Sequence, residues 1–389
     1  MKRICVVFGT RPEVIKLAPV IAKLKKHPTF KVLTCALLQH SRMLREQLGT
    51  FGITPSHVFP MPFGDRGVMG RGNPLRRAWA LLLVGWGFLS FVRMLRRERP
   101  DLLVVQGDTS TVLIASFIAF SMRVPVAHVE AGLRSGNKYA PFPEEINRQL
   151  VARLAELHFA PTPLARANLL REGIADSAIA VTGNTELDAL RMITKERAVN
   201  DAKWEALFRD SYGIPFDADR KLVVVTAHRR ESFGAGMERI AEAIARIAES
   251  RTDATIVFPL HLNRNVRGVM ERKLKDIPNV FLIEPLAYEP FVFLLRRSYI
   301  ILTDSGGIQE AVSMLGKPLV VLREVTERPE GVSAGNAVVV GTDADKIFSE
   351  TERLFRDAAH YRAMAKTHDA YGDGHAAERI AGRIAAYLR

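Results

Sequence analysis

The sequence predicts an α/β protein built from two facing Rossmann-like domains, and three observations carry that expectation. At 389 residues the chain exceeds one ordinary domain. Short β-branched runs alternate with amphipathic helical patterns along nearly the whole length, the signature of parallel sheets covered on both faces. Polar clusters fall immediately after the apolar runs, where open α/β sheets carry their ligands.

In the first half the strand-like runs are 4–8, 32–38, 102–105, 124–129, 157–160 and 178–181. Helical patterns at 14–26, 111–121 and 146–155 lie between them. The second half repeats the scheme with runs 222–226, 255–258, 280–283, 300–303, 319–322 and 337–340. Helical patterns 237–248 and 308–315 fall among these. The expected division is therefore 1–183 for the first domain and 184–371 for the second, with residues 372–389 returning to the first. The space between two such sheets is the default ligand site.

Composition narrows the function classes. Apolar residues make up 48% and charged residues 25%, which fits a globular chain with a sizeable core. A net charge of +13 favours anionic partners such as phosphate-bearing small molecules, nucleic acid or a membrane surface. The arginines lack the aromatic interleaving of a nucleic-acid module, so nucleic acid is not expected. Cys5 and Cys35 each sit in an apolar run, and no Cys/His spacing suggests a disulfide framework or a metal site. Two buried thiols in a reducing cytosol are expected. The longest uncharged apolar stretch, 78–92, is shorter than the roughly 20 residues a spanning helix needs. No signal-peptide pattern opens the chain.

The polar clusters begin with Gly9-Thr10-Arg11-Pro12-Glu13 and Lys16, where a glycine turn, a helix start and two cations suit an anion. A plain turn with solvated charges is the alternative. The cluster is neither a P-loop nor a G-x-G-x-x-G. Gln106-Gly107-Asp108-Thr109, His128-Val129-Glu130-Ala131-Gly132 and Pro143-Glu144-Glu145 then bring three carboxylates to strand ends or a helix start. Crowded acids at a partly dry site suit proton removal and return, while helix capping would equally occupy Asp108 and Glu144. Glu130, directly after a buried strand, needs a partner. In the second half His228-Arg229, His261 and Ser305-Gly306-Gly307 follow strands, and Arg328 lies in Thr326-Glu327-Arg328-Pro329-Glu330. The Ser-Gly-Gly helix start offers backbone N–H groups to a diphosphate.

At these residues the chain resembles the non-hydrolysing UDP-N-acetylglucosamine 2-epimerases. The motifs F-G-T-R-P-E-x-I-K, G-D-T, H-V-E-A-G-L-R, P-E-E-x-N-R, T-G-N-T, H-R-R-E, D-S-G-G-I-Q-E, T-E-R-P-E and Y-G-D-G stand in this order from Phe8 to Gly374. The resemblance implies a fold of the glycosyltransferase-B type, with a last helix near 376–388 crossing back to the first domain. It implies no cofactor, a cytoplasmic location and a homodimer formed through the first domain. It also implies a reaction in which the C2 proton leaves with UDP and both return, interconverting UDP-N-acetylglucosamine and UDP-N-acetylmannosamine through an enzyme-bound 2-acetamidoglucal. Carried over by motif, Asp108, Glu130 and Glu144 are the acid/base candidates and His228 acts near the leaving diphosphate. Arg11, Lys16, Ser305, Gly306, Gly307 and Arg328 would hold UDP, with Phe291 against the uracil or simply packed in the core. Other readings on the same fold are an epimerase of a related diacetamido sugar, a hydrolysing epimerase, a glycosyltransferase, or an impaired nucleotide-sugar-binding protein.

Three departures from the family pattern bear on these expectations. The family's second acid in G-G-x-Q-E-E, which grips the ribose, is Ala311 here. Losing such a charged hydrogen bond removes roughly 1.5–3 kcal/mol. Residues 66–99 hold eight arginines against Glu98 alone, flanking an apolar run with Trp79 and Trp86. Burial in a subunit interface or contact with an anionic membrane surface would suit that stretch. Ser41-Arg42 follows Gln39-His40, where relatives carry other polar residues, so a regulatory substrate site is not assumed.

Overall fold

The structure, a computed structural model, describes residues 1–389 except 39–40, 61–73, 140, 197–199 and 218. Much of the arginine-rich stretch and Gln39-His40 therefore lie outside the described residues, as do the side chains of 74–84. The chain divides into two compact units, Met1–Ala189 with Gly372–Arg389, and Leu190–Tyr371.

The first unit holds a seven-stranded parallel sheet of order β3-β2-β1-β4-β5-β6-β7. Its strands are β1 (Lys2–Phe8), β2 (Phe30–Leu38), β3 (His57–Pro60), β4 (Leu102–Gln106), β5 (Val126–Val129), β6 (Leu157–Ala160) and β7 (Ile179–Val181). The second unit holds a six-stranded parallel sheet of order β10-β9-β8-β11-β12-β13. These strands are β8 (Lys221–Thr226), β9 (Ala254–Pro259), β10 (Val280–Ile283), β11 (Ile300–Thr303), β12 (Leu319–Val321) and β13 (Ala337–Val339). The order reverses between β1 and β4 in one sheet and between β8 and β11 in the other. At these switch points adjacent loops diverge to opposite faces and leave a crevice beyond the strand ends.

The strand runs are mostly apolar because both faces are covered, with buried polar exceptions such as His128 and His158. In β8, Val223 and Val225 enter one core with Met237, Ile240, Ile244 and Ile247 of the helix Ala235–Ser250. Leu222 and Val224 enter the opposite core with Phe208, Phe293 and Val312. The helical contacts recur every three or four residues, as one buried stripe requires. Strand β3 has no counterpart among the runs expected from sequence. It has four residues at the sheet edge and leaves Val58 51% exposed, too little apolar burial to mark the sequence.

Cys5 and Cys35 are buried free thiols with sulfurs 3.4 Å apart. The last helix, Ala376–Tyr387, belongs to the first unit. The Asp188 carboxylate accepts from the N–H groups of Ala376 (3.0 Å) and Ala377 (2.9 Å), satisfying orphan donors at that helix start.

His128 and His158 face each other in the β5–β6 register and are each 1% exposed. Burial pushes His128 down to about 3 and His158 down to about 4. Both are neutral in the folded protein at pH 5, whereas the unfolded chain protonates them below about 6.5. Stability is thus present above pH 6.5 and is lost as pH falls toward 4 and 3. Going from pH 7 to 5 is expected to cost on the order of 2 kcal/mol for each histidine. Urea midpoints that do not move between these pH values would rule this out.

Candidate active site

In the first unit the side chains gather at the switch point. The chain leaves β1 at Phe8, turns at Gly9-Thr10 and enters the helix Arg11–Lys26. Gly9 passes so close to β2 that a Cβ there would meet the Leu37 carbonyl at 2.7 Å. Glu13, 1% exposed, holds this turn by accepting from the N–H of Gly9 (2.5 Å) and of Thr10 (3.2 Å). Its other oxygen accepts from the Thr109 hydroxyl at 2.6 Å, which ties the turn to the loop after β4. Burial raises the Glu13 carboxyl, against the opposing pull of these hydrogen bonds. Arg11 opens the helix. Burial lowers it, and the charges of Glu186 and Glu46 oppose that shift, so a further anion nearby would stabilise it.

Lys16 lies one turn further along and is buried. Its Nζ stands 2.8 Å from both oxygens of Glu130, and Gln106 also donates to Glu130. Lys16, expected among the UDP-holding cations, forms an ion pair with Glu130, the charge partner a buried carboxylate requires. Glu130 has φ +66°, a left-handed conformation that costs a side-chain-bearing residue energy. The ion pair and Gln106 hold the strained residue in place.

Asp108 directs Oδ2 at Arg148, with Nε at 2.8 Å and Nη2 at 2.6 Å, and its side chain is 25% exposed. Arg148 also reaches Glu145 at 3.1 Å, and Asn147 donates to the Asp108 carbonyl at 2.8 Å. The helix Glu144–Leu154 thus supplies Asn147 and Arg148 to this cluster, and Glu144 is its first residue. Oε2 of Glu144 is buried and takes no hydrogen bond among the described residues. Gln106, Asn147, Arg148 and Glu13 stand in the clusters and motifs quoted from the sequence, but no role was assigned to them there.

In the second unit His228 follows β8 and Asp304 follows β11. Asp304 is fully buried and accepts from the N–H groups of His228 (2.6 Å) and Arg229 (2.7 Å). Ser305 precedes the helix Gly306–Leu315 and makes no side-chain cap, so its hydroxyl and the first-turn N–H groups remain uncapped by it. Arg328, buried, donates from Nε to Glu310 Oε1 at 2.7 Å, and Glu327 lies 3.5 Å from it. Glu310 thus pairs with Arg328, and Ala311, which replaces the family's second acid, is itself buried. Burial would raise Glu327, but Arg328, Arg323 and Arg229 outweigh it and bring it down to about 2. Phe291 is half-buried against the Phe208–Phe293 core.

The guanidinium of Arg328 lies flat against Gly306. A Cβ on Gly306 would stand 2.4 Å from its Cζ and 2.7 Å from Nε. Gly306→Ala is expected to cost about 1–3 kcal/mol by displacing Arg328 from Glu310. Urea unfolding checks this, and an unchanged midpoint contradicts it.

A family profile described as UDP-N-acetylglucosamine 2-epimerase matches residues 22–385. The chain belongs to the UDP-N-acetylglucosamine 2-epimerase family. It is 46% identical over 379 residues to the UDP-N-acetylglucosamine 2-epimerase of Escherichia coli K12, covering 97% of each chain. It is 41% identical to a putative UDP-N-acetylglucosamine 2-epimerase of Thermotoga maritima, covering 99% of this chain and 96% of that one. Among solved structures it is similar to UDP-GlcNAc 2-epimerase from Neisseria meningitidis bound to UDP-GlcNAc. That likeness has a TM-score of 0.89 and 39% identity, over 99% of this chain and 100% of the other. The Methanocaldococcus jannaschii UDP-GlcNAc 2-epimerase in complex with UDP-GlcNAc and UDP gives a TM-score of 0.81 at 32% identity, covering 99% of each. The two units have the Rossmann-like architecture of the glycosyltransferase-B type that these epimerases share.

Proposed function

We propose that this chain is a non-hydrolysing epimerase that interconverts UDP-N-acetylglucosamine and UDP-N-acetylmannosamine. The observation that supports this reading is that Asp108 and Glu130 follow neighbouring strands and Glu144 opens the helix whose Arg148 holds Asp108, each acid held differently. Glu130 is clamped by Lys16, Asp108 is oriented by Arg148, and among the described residues Glu144 has a buried oxygen without a hydrogen bond. Epimerisation at C2 needs proton transfer on both faces of the sugar, which takes more than one acid/base group. Arg11, Ser305, Gly306, Gly307 and Arg328 hold the UDP portion and Phe291 offers its ring to the uracil. His228 stabilises the charge that develops on the diphosphate as the C1–O bond breaks.

Incubation with UDP-N-acetylglucosamine in deuterated water tests this reading. Deuterium at C2 with UDP-N-acetylmannosamine formed supports it. Release of free UDP without C2 exchange indicates transfer or hydrolysis, and binding without exchange indicates an impaired enzyme.

A homodimer through the first unit is part of the same reading. Its support is a set of exposed apolar side chains on that unit's helices: Trp86 (53%), Leu89 (55%), Phe117 (56%) and Phe120 (56%). Burying them against a second copy would remove their apolar surface from water. Among the described residues no helix is long and apolar enough to cross a membrane, and a cytoplasmic location fits the nucleotide-sugar substrate.

A further inference from the structure

Strands β8 and β11 are paired neighbours, with Thr226 opposite Thr303. Their hydroxyls lie 2.6 Å apart. The residues that follow each strand therefore emerge side by side at the second switch point, and these are His228 and Asp304. Oδ2 of Asp304 is saturated by the two backbone donors of His228 and Arg229. Oδ1 lies 3.0 Å from Nδ1 of His228, an ion-pair contact short of a well-aligned hydrogen bond, and Oδ1 has no other polar partner among the described residues.

A fully buried carboxylate oxygen requires a donor, and an unmet one costs several times what an ordinary hydrogen bond contributes. Among the described residues the imidazole is the group in reach, so its Nδ1 must carry a proton. That leaves Nε2 as the nitrogen open to a ligand, on a side chain 36% exposed. The ring of His261 stacks on His228 at 5.5 Å with 19° between planes, which holds the imidazole from the β9 side.

We propose that Asp304 is a positioning residue for the epimerisation: it fixes the proton of His228 on Nδ1 and stabilises the imidazolium that faces the departing diphosphate. The inference rests on the functional reading above. In the elimination step the C1–O electron pair passes to the β-phosphate oxygen and a carboxylate takes the C2 proton. His228 contributes a donor from Nε2 and positive charge, with no bond to carbon formed or broken. Apo-state contacts of this kind commonly tighten once the ligand is bound.

The charged groups around His228 are consistent with this role. Asp304 faces it from β11, Arg229 adjoins it on the same loop, and His261 faces it from the loop after β9. Burial would push Asp304 up, but the charge and hydrogen bonds of His228 and the Arg229 N–H outweigh it and hold the carboxyl below its ordinary range. The carboxylate is therefore anionic throughout the working pH range.

The test compares the wild-type protein with Asp304→Asn by nitrogen-15 NMR titration of the histidines and by steady-state kinetics. Wild-type His228 is expected to be protonated on Nδ1 when neutral. In Asp304→Asn the kcat should fall on the order of 100-fold, with KM for UDP-N-acetylglucosamine moving less than about threefold. A wild-type Nε2–H tautomer or a loss confined to KM overturns the proposal. Should Asp304→Asn not fold, the wild-type tautomer alone decides the matter. Wild-type protein that fails to exchange deuterium at C2 would overturn the function itself, while the NMR still reports on the Asp304–His228 pair.

Discussion

Asp108→Asn is expected to lower kcat by about 10²- to 10⁴-fold, the range lost when a positioned acid/base group is removed. The substitution keeps the side chain's shape and its place after β4, but an amide cannot take up or return a proton at C2. Arg148 loses the partner of its Nε and Nη2 and retains Glu145 at 3.1 Å. Some stability should be lost with that charged pair, about 1–3 kcal/mol. Because Asp108 is 25% exposed, water can replace part of the interaction. Turnover and deuterium exchange at C2 should fall together, since both report the same proton transfer. Turnover within a few-fold of wild type would remove Asp108 from the catalytic set.

Glu130→Gln should have an effect of similar size on turnover and a larger one on stability. Its carboxylate is the counter-charge of Lys16, and both side chains are 7% exposed. Removing one partner leaves an uncompensated ammonium in a poorly solvated place, which typically costs about 3–5 kcal/mol. The two losses separate in the double variant Lys16→Met with Glu130→Gln. Without either charge, the buried site can be neutral and packed, so most of the stability should return while turnover stays low. Recovery of turnover along with stability would show that Glu130 serves the fold rather than the chemistry. Failure of the double variant to regain stability would show that the ion pair is not what the single variant breaks.

These two residues also show how differently parts of the site were legible. Glu130 stands out in the sequence because an acid directly after a buried strand needs a partner, whereas Asp108 could equally be a helix cap. Lys16 stood out for a different reason, as a cation near a helix start, and was expected to hold phosphate. Its partner lies 114 residues away, and no local spacing announces it. The same holds for Asp304, which faces His228 across 76 residues, and for Glu310, which takes Arg328. Gly306 reads in the sequence as part of a helix start that offers N–H groups to a diphosphate, yet what requires glycine there is the guanidinium of Arg328 packed against it.

The sequence by itself determined the elements and their kind. Runs covered on both faces are predominantly apolar, so β6, β10 and β11 appear in the chain with the bounds they have in the structure. It also determined that polar groups stand at strand ends, because the apolar run stops where the backbone leaves the sheet. Only the tertiary structure decided which strand ends are neighbours. The order β3-β2-β1-β4 sets the end of β1 beside that of β4, and β8 beside β11. Pairing between strands is a long-range contact that leaves no periodic mark on either partner, so the charge partners it creates become visible only when the sheets are assembled.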